Sequence, residues 1–231
     1  MIPQPLPTPT HVACGAALCA AALLLFAPEA HADYIPPAFY DMVGNSDLVA
    51  LGTITAVSDK TYTFTIEETL AGRADGPTVE VERFQDWACS MRWAPYKKGQ
   101  RLIIYADVKP PPKGAVASQP RVYQTRSAGI EGEMPVVGPH VFYQGFPIEG
   151  LKPAMHTVEG GSFYGHRLKL TEMTDAIRNF NECFKLDTTR VPPHNWRRVT
   201  ATRFLCDLAT RERYARSSPI HAYLNRTATG N

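Results

Sequence analysis

The chain has 231 residues, of which 44% are hydrophobic and 20% charged, with a formal net charge of +2 at pH 7. This composition is typical of a globular protein of one or two domains and excludes a chain that is disordered throughout. The small net charge gives no reason to expect nucleic acid or an anionic membrane surface as a partner.

Residues 1–32 have the pattern of a signal peptide. An apolar run spans Ala13–Ala27 and is too short to cross a bilayer, which takes about 20 residues. Ala30-His31-Ala32 follows as an A-x-A motif, which predicts cleavage between Ala32 and Asp33. The basic residues that usually begin a signal peptide are missing, so a retained N-terminal anchor is the alternative. We expect an exported protein, periplasmic or extracellular, with no transmembrane segment after cleavage.

Four β-strands are predicted between Leu48 and Ala106, preceded by one helical turn at Ala38–Val43. Tyr62, Phe64 and Ile66 alternate with threonines, the clearest period of two in the chain. The first strand is apolar on both faces at its start, which indicates burial on both sides, and Gly52 inside it predicts a bend. The four strands are Leu48–Val57, Thr61–Leu70, Val79–Glu82 and Leu102–Ala106.

The remaining connections are predicted from composition. Residues 85–99 contain several aromatic side chains and are expected to plug one end of a barrel. Lys109–Pro120 holds three consecutive prolines and indicates a surface loop. Glu133–Tyr143 is expected to supply a fifth strand, interrupted at Gly138-Pro139. Residues 145–165 show little periodicity and are predicted to be irregular.

Two C-terminal helices are predicted. The first begins after Thr171 as N-cap and presents Met173, Ile177, Phe180 and Phe184 at helical spacing. The second spans Val199–Tyr214. It is expected to turn Phe204, Leu205 and Leu208 inward, and the tail from Ser217 is expected to fray.

The mature chain keeps three cysteines, Cys89, Cys183 and Cys206. Export favours a disulfide, and three cysteines allow one intramolecular bridge with one thiol left over. The sequence does not choose among the pairings. Cys183–Cys206 would join neighbouring helices, whereas Cys89–Cys183 would join the barrel to the C-terminal part. We expect the leftover thiol to be a buried apolar group.

Together these elements predict an α+β protein: an OB-like five-stranded antiparallel β-barrel with C-terminal helices packed against it. We divide the chain into a signal peptide (1–32), a barrel domain (33–145) and an irregular segment with two helices (146–231). The segments NSDLVALGTITAV, YTFTIEETLAG, TVEVERF and KKGQRLIIYAD occur in this order. Over residues 45–107 they resemble bacterial secreted proteins with a TIMP-like, netrin-module-like OB fold.

That resemblance implies a fold more than a chemistry. Animal members of the superfamily inhibit zinc proteases through the amine and carbonyl of an N-terminal cysteine. Here the predicted first residue is Asp33 and no cysteine precedes Cys89 in the mature chain, so the resemblance does not carry the inhibitory mechanism. Cys89 matches the barrel cysteine of the family, whose usual N-terminal partner is absent.

Three catalytic arrangements are weaker candidates. His140, His156 and His166 with Glu159 could gather a metal, although no metal-binding spacing is present. Ser162 with His166 lacks a hydrolase motif. Cys89 with a histidine would need a setting that lowers the thiol pKa. We therefore expect no catalytic residue, no cofactor and no metal.

The sequence offers three candidate binding surfaces. The arginines between Arg190 and Arg216 could meet an anion, but Asp207 and Glu212 interrupt them, which favours a solvated helix face. Trp87, Trp93, Tyr96 and Tyr105 could line a binding surface, although their aromatic area favours burial. OB barrels in general bind ligands through their loops. By this analogy, the candidate binding loops here are Gly72–Pro77 and Val108–Pro120.

The sequence thus predicts a non-enzymatic binding protein on an OB-like barrel, whose partner is another envelope or extracellular protein. The alternatives are a secreted metal-dependent enzyme and an envelope-anchored interaction protein.

Overall fold

The computed structural model describes residues 36–110, 121–127, 130–145, 147–186 and 202–229. The predicted signal peptide and its cleavage site at Ala32–Asp33 lie outside these residues. The strands are β1 Leu48–Val57, β2 Thr61–Gly72, β3 Thr78–Glu82, β4 Arg101–Val108, β5 Val122–Thr125, β6 Glu133–Val137, β7 His140–Tyr143, β8 Ala154–Val158, β9 Gly161–Lys169, β10 Phe184–Leu186 and β11 Thr202–Phe204. The helices are α1 Phe39–Asn45, α2 Leu170–Cys183, α3 Leu208–Ala215 and α4 Pro219–Thr229, with a 3₁₀ turn at Ile130–Gly132.

Five strands close into a barrel in the order β1-β2-β3-β5-β4, because β4 pairs back onto β1. Pairings in the ring are antiparallel except for β3 with β5, which run parallel over Glu80–Val122 and Val81–Tyr123. The OB-like five-stranded barrel with helices packed against it is confirmed, and the parallel β3–β5 pair is the one departure from the predicted antiparallel pairing among the described strands of the ring. The four predicted strands are confirmed as β1 to β4.

The predicted fifth strand is wrong. The strand that closes the barrel is β5, Val122–Thr125, whose four residues are too few to show a period of two. Residues 133–143 instead form the β6–β7 hairpin around Gly138-Pro139. Strand β6 pairs with residues 102–104 of β4, on the edge opposite β1. This hairpin extends the barrel sheet outward.

The predicted bend at Gly52 is confirmed. The register of β1 against β2 shifts between Leu51 and Gly52. A Cβ at Gly52 would overlap the carbonyl oxygen of Thr65, so only glycine lets the two strands approach this closely.

The prediction that residues 145–165 are irregular is wrong for residues 154–165, which form most of the β8–β9 hairpin. Its two-residue turn, Glu159-Gly160, has φ values of 53° and 89°, the conformation of hairpin turns that match strand twist. Strand β9 pairs with β8 up to Gly165 and with β7 from His166 onward. Its buried side shifts phase there, which hides the period of two in the sequence.

Helix α2 confirms the first predicted helix, but its N-cap position is Lys169, without a side-chain cap, rather than Thr171. The second predicted helix is wrong in extent: α3 begins at Leu208, capped by the Asp207 side chain. Residues 187–201 lie outside the described part of the chain. The tail from Ser217 is not frayed, because α4 spans Pro219–Thr229 with a buried face. Phe204, Leu205 and Leu208 are 45%, 51% and 60% exposed, not inward as predicted.

The disulfide joins Cys183 to Cys206, at a sequence separation of 23 residues. Cys183 is the buried last residue of α2, and Cys206 follows the short strand β11. The prediction that this bridge would join two helices is therefore wrong. Cys89 is exposed, which contradicts the prediction of a buried thiol.

Two apolar cores lie on opposite sides of the barrel wall. One fills the barrel and contains Tyr62 and Phe64, as the alternation in β2 predicts. The other lies between the outside of the barrel and helices α1, α2 and α4. Strands β1 and β4 contribute alternate residues to both cores, which confirms the prediction that β1 is covered on both sides.

Candidate functional site

An open groove of about 310 Å³ lies where β3 and β5 diverge on the outside of the barrel. Its walls are residues 75–80 on one side and Arg121 with Tyr123 on the other, and Thr63 of β2 contributes to its lining. The predicted binding loop Gly72–Pro77 therefore forms part of the groove. Of the second predicted loop, Val108–Pro120, residues beyond 110 lie outside the described part of the chain.

Strand pairing turns the main chain of Thr78 toward this groove. The N–H of Ile66 donates to the Pro77 carbonyl at 2.8 Å, and the N–H of Arg83 donates to Lys60 at 2.9 Å. In an antiparallel pair, residues that bond the neighbouring strand alternate with residues that face away. This phase points the N–H and C=O of Thr78 away from β2, on the side where β3 has not yet met β5.

The groove carries both signs of charge. Arg121 Nη1 lies 3.5 Å from Asp75 Oδ1, and the two side chains are 63% and 49% exposed, so this pair is weak and open to exchange with a ligand. Thr63 donates to Glu80 at 2.6 Å. Burial, followed by the nearby Asp75 charge, raises the pKa of Tyr123 and keeps its phenol protonated. The arrangement offers main-chain hydrogen bonds together with one cation, Arg121, and two carboxylates, Asp75 and Glu80.

The aromatic residues between β3 and β4 cover the end of the barrel, as predicted. Trp93 is buried with its ring edge toward Phe163, and Tyr96 stacks on Tyr62 with ring centroids 5.2 Å apart. Tyr105 is fully buried in the outer core, and burial raises its pKa. These three side chains support the structure and do not form a binding surface. Trp87 is partly buried and forms a backbone bridge with Ser90.

A buried polar network beneath this plug was not predicted. Arg92 donates to Glu133 Oε2 at 2.8 Å, and its guanidinium lies over the rings of Trp93 and Tyr96 at 4.1 and 3.8 Å. Glu133 Oε1 accepts from the phenols of Tyr62 and Tyr96 at 2.9 and 2.8 Å. Burial raises the pKa of both phenols, followed by the Glu133 charge. Arg92, Tyr62 and Tyr96 all bond to Glu133, so the network holds the plug in place. These bonds indicate a structural role for the four side chains.

The histidines proposed as metal ligands do not form a site. His156 contacts Phe142 and lies 3.2 Å from the Gly165 carbonyl, while His166 is buried and stacks on Tyr143. Burial lowers the pKa of His166, and the neighbouring His156 lowers it further. Glu159 accepts from Trp93 and Gln100 instead. Within the described residues, no three His, Cys, Asp or Glu side chains form a metal-binding group.

The other two catalytic candidates, Ser162 and Cys89, lie at exposed positions of the described structure. Ser162 lies on the exposed face of β9, opposite Thr157, whereas His166 is buried. Cys89 is exposed in the connection between β3 and β4.

The arginines of the C-terminal region are dispersed in the described residues. Arg211 lies over the Phe204 ring at 3.8 Å, and Arg213 lies over Tyr214 at 5.5 Å. Arg216 approaches Glu212 at 3.7 Å. Each of these three arginines contacts a different neighbouring side chain, as expected for a solvated helix face. Arg190, Arg197 and Arg198 lie outside the described residues.

In the described part of the chain, no helix has the length and apolar character needed to span a membrane. A scan against protein-family models finds no match to this chain, and a search of curated proteins finds no significant relative.

Proposed function

We propose that the protein is exported and acts as a non-enzymatic binding protein of the TIMP-like OB class. Three observations support this. The N-terminal 32 residues have the composition of a signal peptide. The Cys183–Cys206 disulfide is of the kind that persists in oxidising compartments. The bent first strand and the plugged, closed barrel agree with the segments that resemble this class.

The groove between β3 and β5 carries the proposal. We assign to it an extended polypeptide segment of another envelope or extracellular protein. The Thr78 main chain would pair with the backbone of that segment, as in recognition by strand addition. Arg121 and Asp75 would exchange their mutual ion pair for charged groups of the ligand.

Site-specific photo-crosslinking tests this assignment. A photoreactive phenylalanine analogue replaces Thr78 in the groove, and in a matched control it replaces Arg167, an exposed residue of β9. Incubation with envelope extract should label a discrete partner from position 78 only, and the Arg121→Ala and Asp75→Ala changes together should abolish it. Equal labelling from both positions, or no labelling from position 78, would contradict the proposal.

Export is tested separately by the intact mass of protein recovered from the producing cells. A mass that begins at Asp33 is expected. A mass that retains residues 1–32 would instead support the anchored alternative, while leaving the groove assignment open to the crosslinking result.

A further inference from the structure

Strand β8 forms the open edge of the nine-stranded sheet within the described part of the chain. The strand order ends β6-β7-β9-β8, and the opposite end of the sheet has no edge because β1 pairs with β4. Ala154, Met155 and Thr157 are exposed on this strand. Unpaired main-chain groups along such an edge are a template for another strand.

The edge lacks the features that usually prevent strand pairing. Ala154–Val158 reads AMHTV and contains no charged residue, proline or glycine. Lysines, prolines and bulges are the common protection of natural edge strands. Met155 is 66% exposed, and Tyr164, which lies directly opposite it on β9, is 55% exposed. The hairpin therefore presents an uncharged face beside an unprotected edge.

The hairpin turn determines which main-chain groups face outward. In a two-residue turn the flanking residues, here Val158 and Gly161, form a hydrogen-bonded pair. The pattern then alternates along the strand, so Ala154, His156 and Val158 bond β9. The N–H and C=O groups of Met155 and Thr157 consequently point away from β9, toward the open edge.

We propose that two copies of the protein associate through antiparallel β8 strands, with a two-fold axis at His156. The two outward-facing residues lie symmetrically about this position, so Met155 of each copy meets Thr157 of the other. Each such pair exchanges two hydrogen bonds. The interface is isologous, as expected for a closed dimer.

Charge and side-chain placement favour a second copy as the occupant. The same register brings the exposed Lys152 of one copy beside the Glu159 end of the other at both ends of the interface. A cation therefore approaches a carboxylate whose Oε2 also accepts from Trp93 and Gln100 of its own chain, so charges of opposite sign meet. On the exposed face, each Met155 would lie between its own Tyr164 and Thr157 of the partner subunit. No like-charged residues are brought together within the paired strands.

Cysteine crosslinking tests the register. Every protein carries Cys89→Ser, so a disulfide through that exposed thiol cannot produce a dimer. Residues paired across an antiparallel non-hydrogen-bonded site have Cα atoms about 4.5 Å apart, which suits a disulfide. His156→Cys should therefore yield a covalent dimer on mild oxidation. Tyr164→Cys is the control, because three strand spacings of about 4.8 Å separate the two copies of that position.

Equal or preferential crosslinking of Tyr164→Cys would overturn the register and with it the proposal. A second measurement avoids dependence on oxidation. Sedimentation velocity should show a monomer–dimer equilibrium with a dissociation constant below about 0.5 mM. Thr157→Lys places like charges across the two-fold axis and should raise that constant at least about tenfold. Thr69→Lys, the same substitution at an exposed position of β2, should leave the association unchanged.

A protein that stays monomeric throughout, or a dimer that Thr157→Lys leaves intact in a folded protein, would overturn the inference. The groove between β3 and β5 lies in another part of the sheet, so its crosslinking result is independent of this outcome.

Discussion

Arg92 and Glu133 show how single residues fix the plug against the barrel. Their side chains are 3% and 2% exposed, so both charges have left water. Removal of one partner from such a pair leaves the other charge buried and uncompensated, which is far more costly than losing an exposed ion pair.

We therefore expect Glu133→Gln to lower the free energy of unfolding by about 3 to 5 kcal/mol, measured by urea denaturation. Glu67→Gln is the matched control. It breaks an ion pair with Arg101 whose side chains are 37% and 36% exposed. That change should cost less than about 1 kcal/mol. Equal losses in the two variants would show that the buried network is not the anchor of the plug.

A second residue-scale prediction concerns His221, which is buried between α2 and α4. Its ring nitrogens contact Ser218 at 2.8 Å and Asn179 at 3.0 Å. Burial lowers its pKa, and this effect outweighs the opposing charges of Asp175 and Glu172. Below the ordinary histidine pKa of about 6.5, the unfolded chain binds this proton more readily than the folded protein. His221 therefore contributes stability above that pH and loses it as the pH falls.

The free energy of unfolding should decrease between pH 7 and pH 5, and His221→Gln should flatten this decrease. Urea titrations at both pH values measure the effect, with His140→Gln, at a partly exposed position, as the control. An unchanged pH dependence in His221→Gln would contradict the assignment. Burial lowers the pKa of His166 in the same direction, so part of the decrease should remain.

At the scale of elements, the Cys183–Cys206 disulfide ties the end of α2 to the segment that leads into α3. The bridge closes a loop with a sequence separation of 23 residues. Replacing both cysteines with alanine should cost about 3 kcal/mol of unfolding free energy, because the unfolded chain regains its loop entropy. Cys89→Ala, at an exposed position, should change stability by less than about 0.5 kcal/mol. A double variant as stable as the parent would contradict this estimate.

The elements differ in how far the sequence could reveal them. Strands β1, β2 and β4 were predictable because long alternating or doubly buried stretches have a clear pattern. Strand β5 was not, because four residues paired to one parallel neighbour leave no period. The β8–β9 hairpin was missed because β9 changes partner at Gly165, which reverses its inward face.

The site follows the same division. The loop Gly72–Pro77 could be proposed as a binding surface, because its composition breaks a strong strand pattern. Arg121 could not be assigned to the same groove, since that requires the parallel approach of β5 to β3. The Arg92–Glu133 pair spans 41 residues and has no local signal.

For the whole molecule, the helices and the barrel depend on each other. Val49, Leu51, Ile103 and Tyr105 face outward from the barrel and are covered in the outer core. A chain ended at Gly145 would lack α2 and α4, which supply much of that cover. The exposed apolar surface would be large enough to drive association.

We expect the fragment 33–145 to aggregate, or to bind a hydrophobic dye strongly, under conditions in which the 33–231 protein remains soluble. Size-exclusion chromatography with dye fluorescence measures both. A soluble monomeric fragment with native near-ultraviolet circular dichroism would show instead that the barrel is self-sufficient.

The parallel contact between β3 and β5 has a consequence for local motion. Only two register pairs join these strands, whereas residues 48–53 of β1 are paired on both sides. Amide hydrogens at 80–82 and 122–123 should exchange with deuterium faster than those at 48–53, because fewer bonds must break to free them. Mass spectrometry resolves these peptides. A polypeptide seated in the adjoining groove would slow exchange at this contact, so the most easily opened part of the ring would also report occupancy.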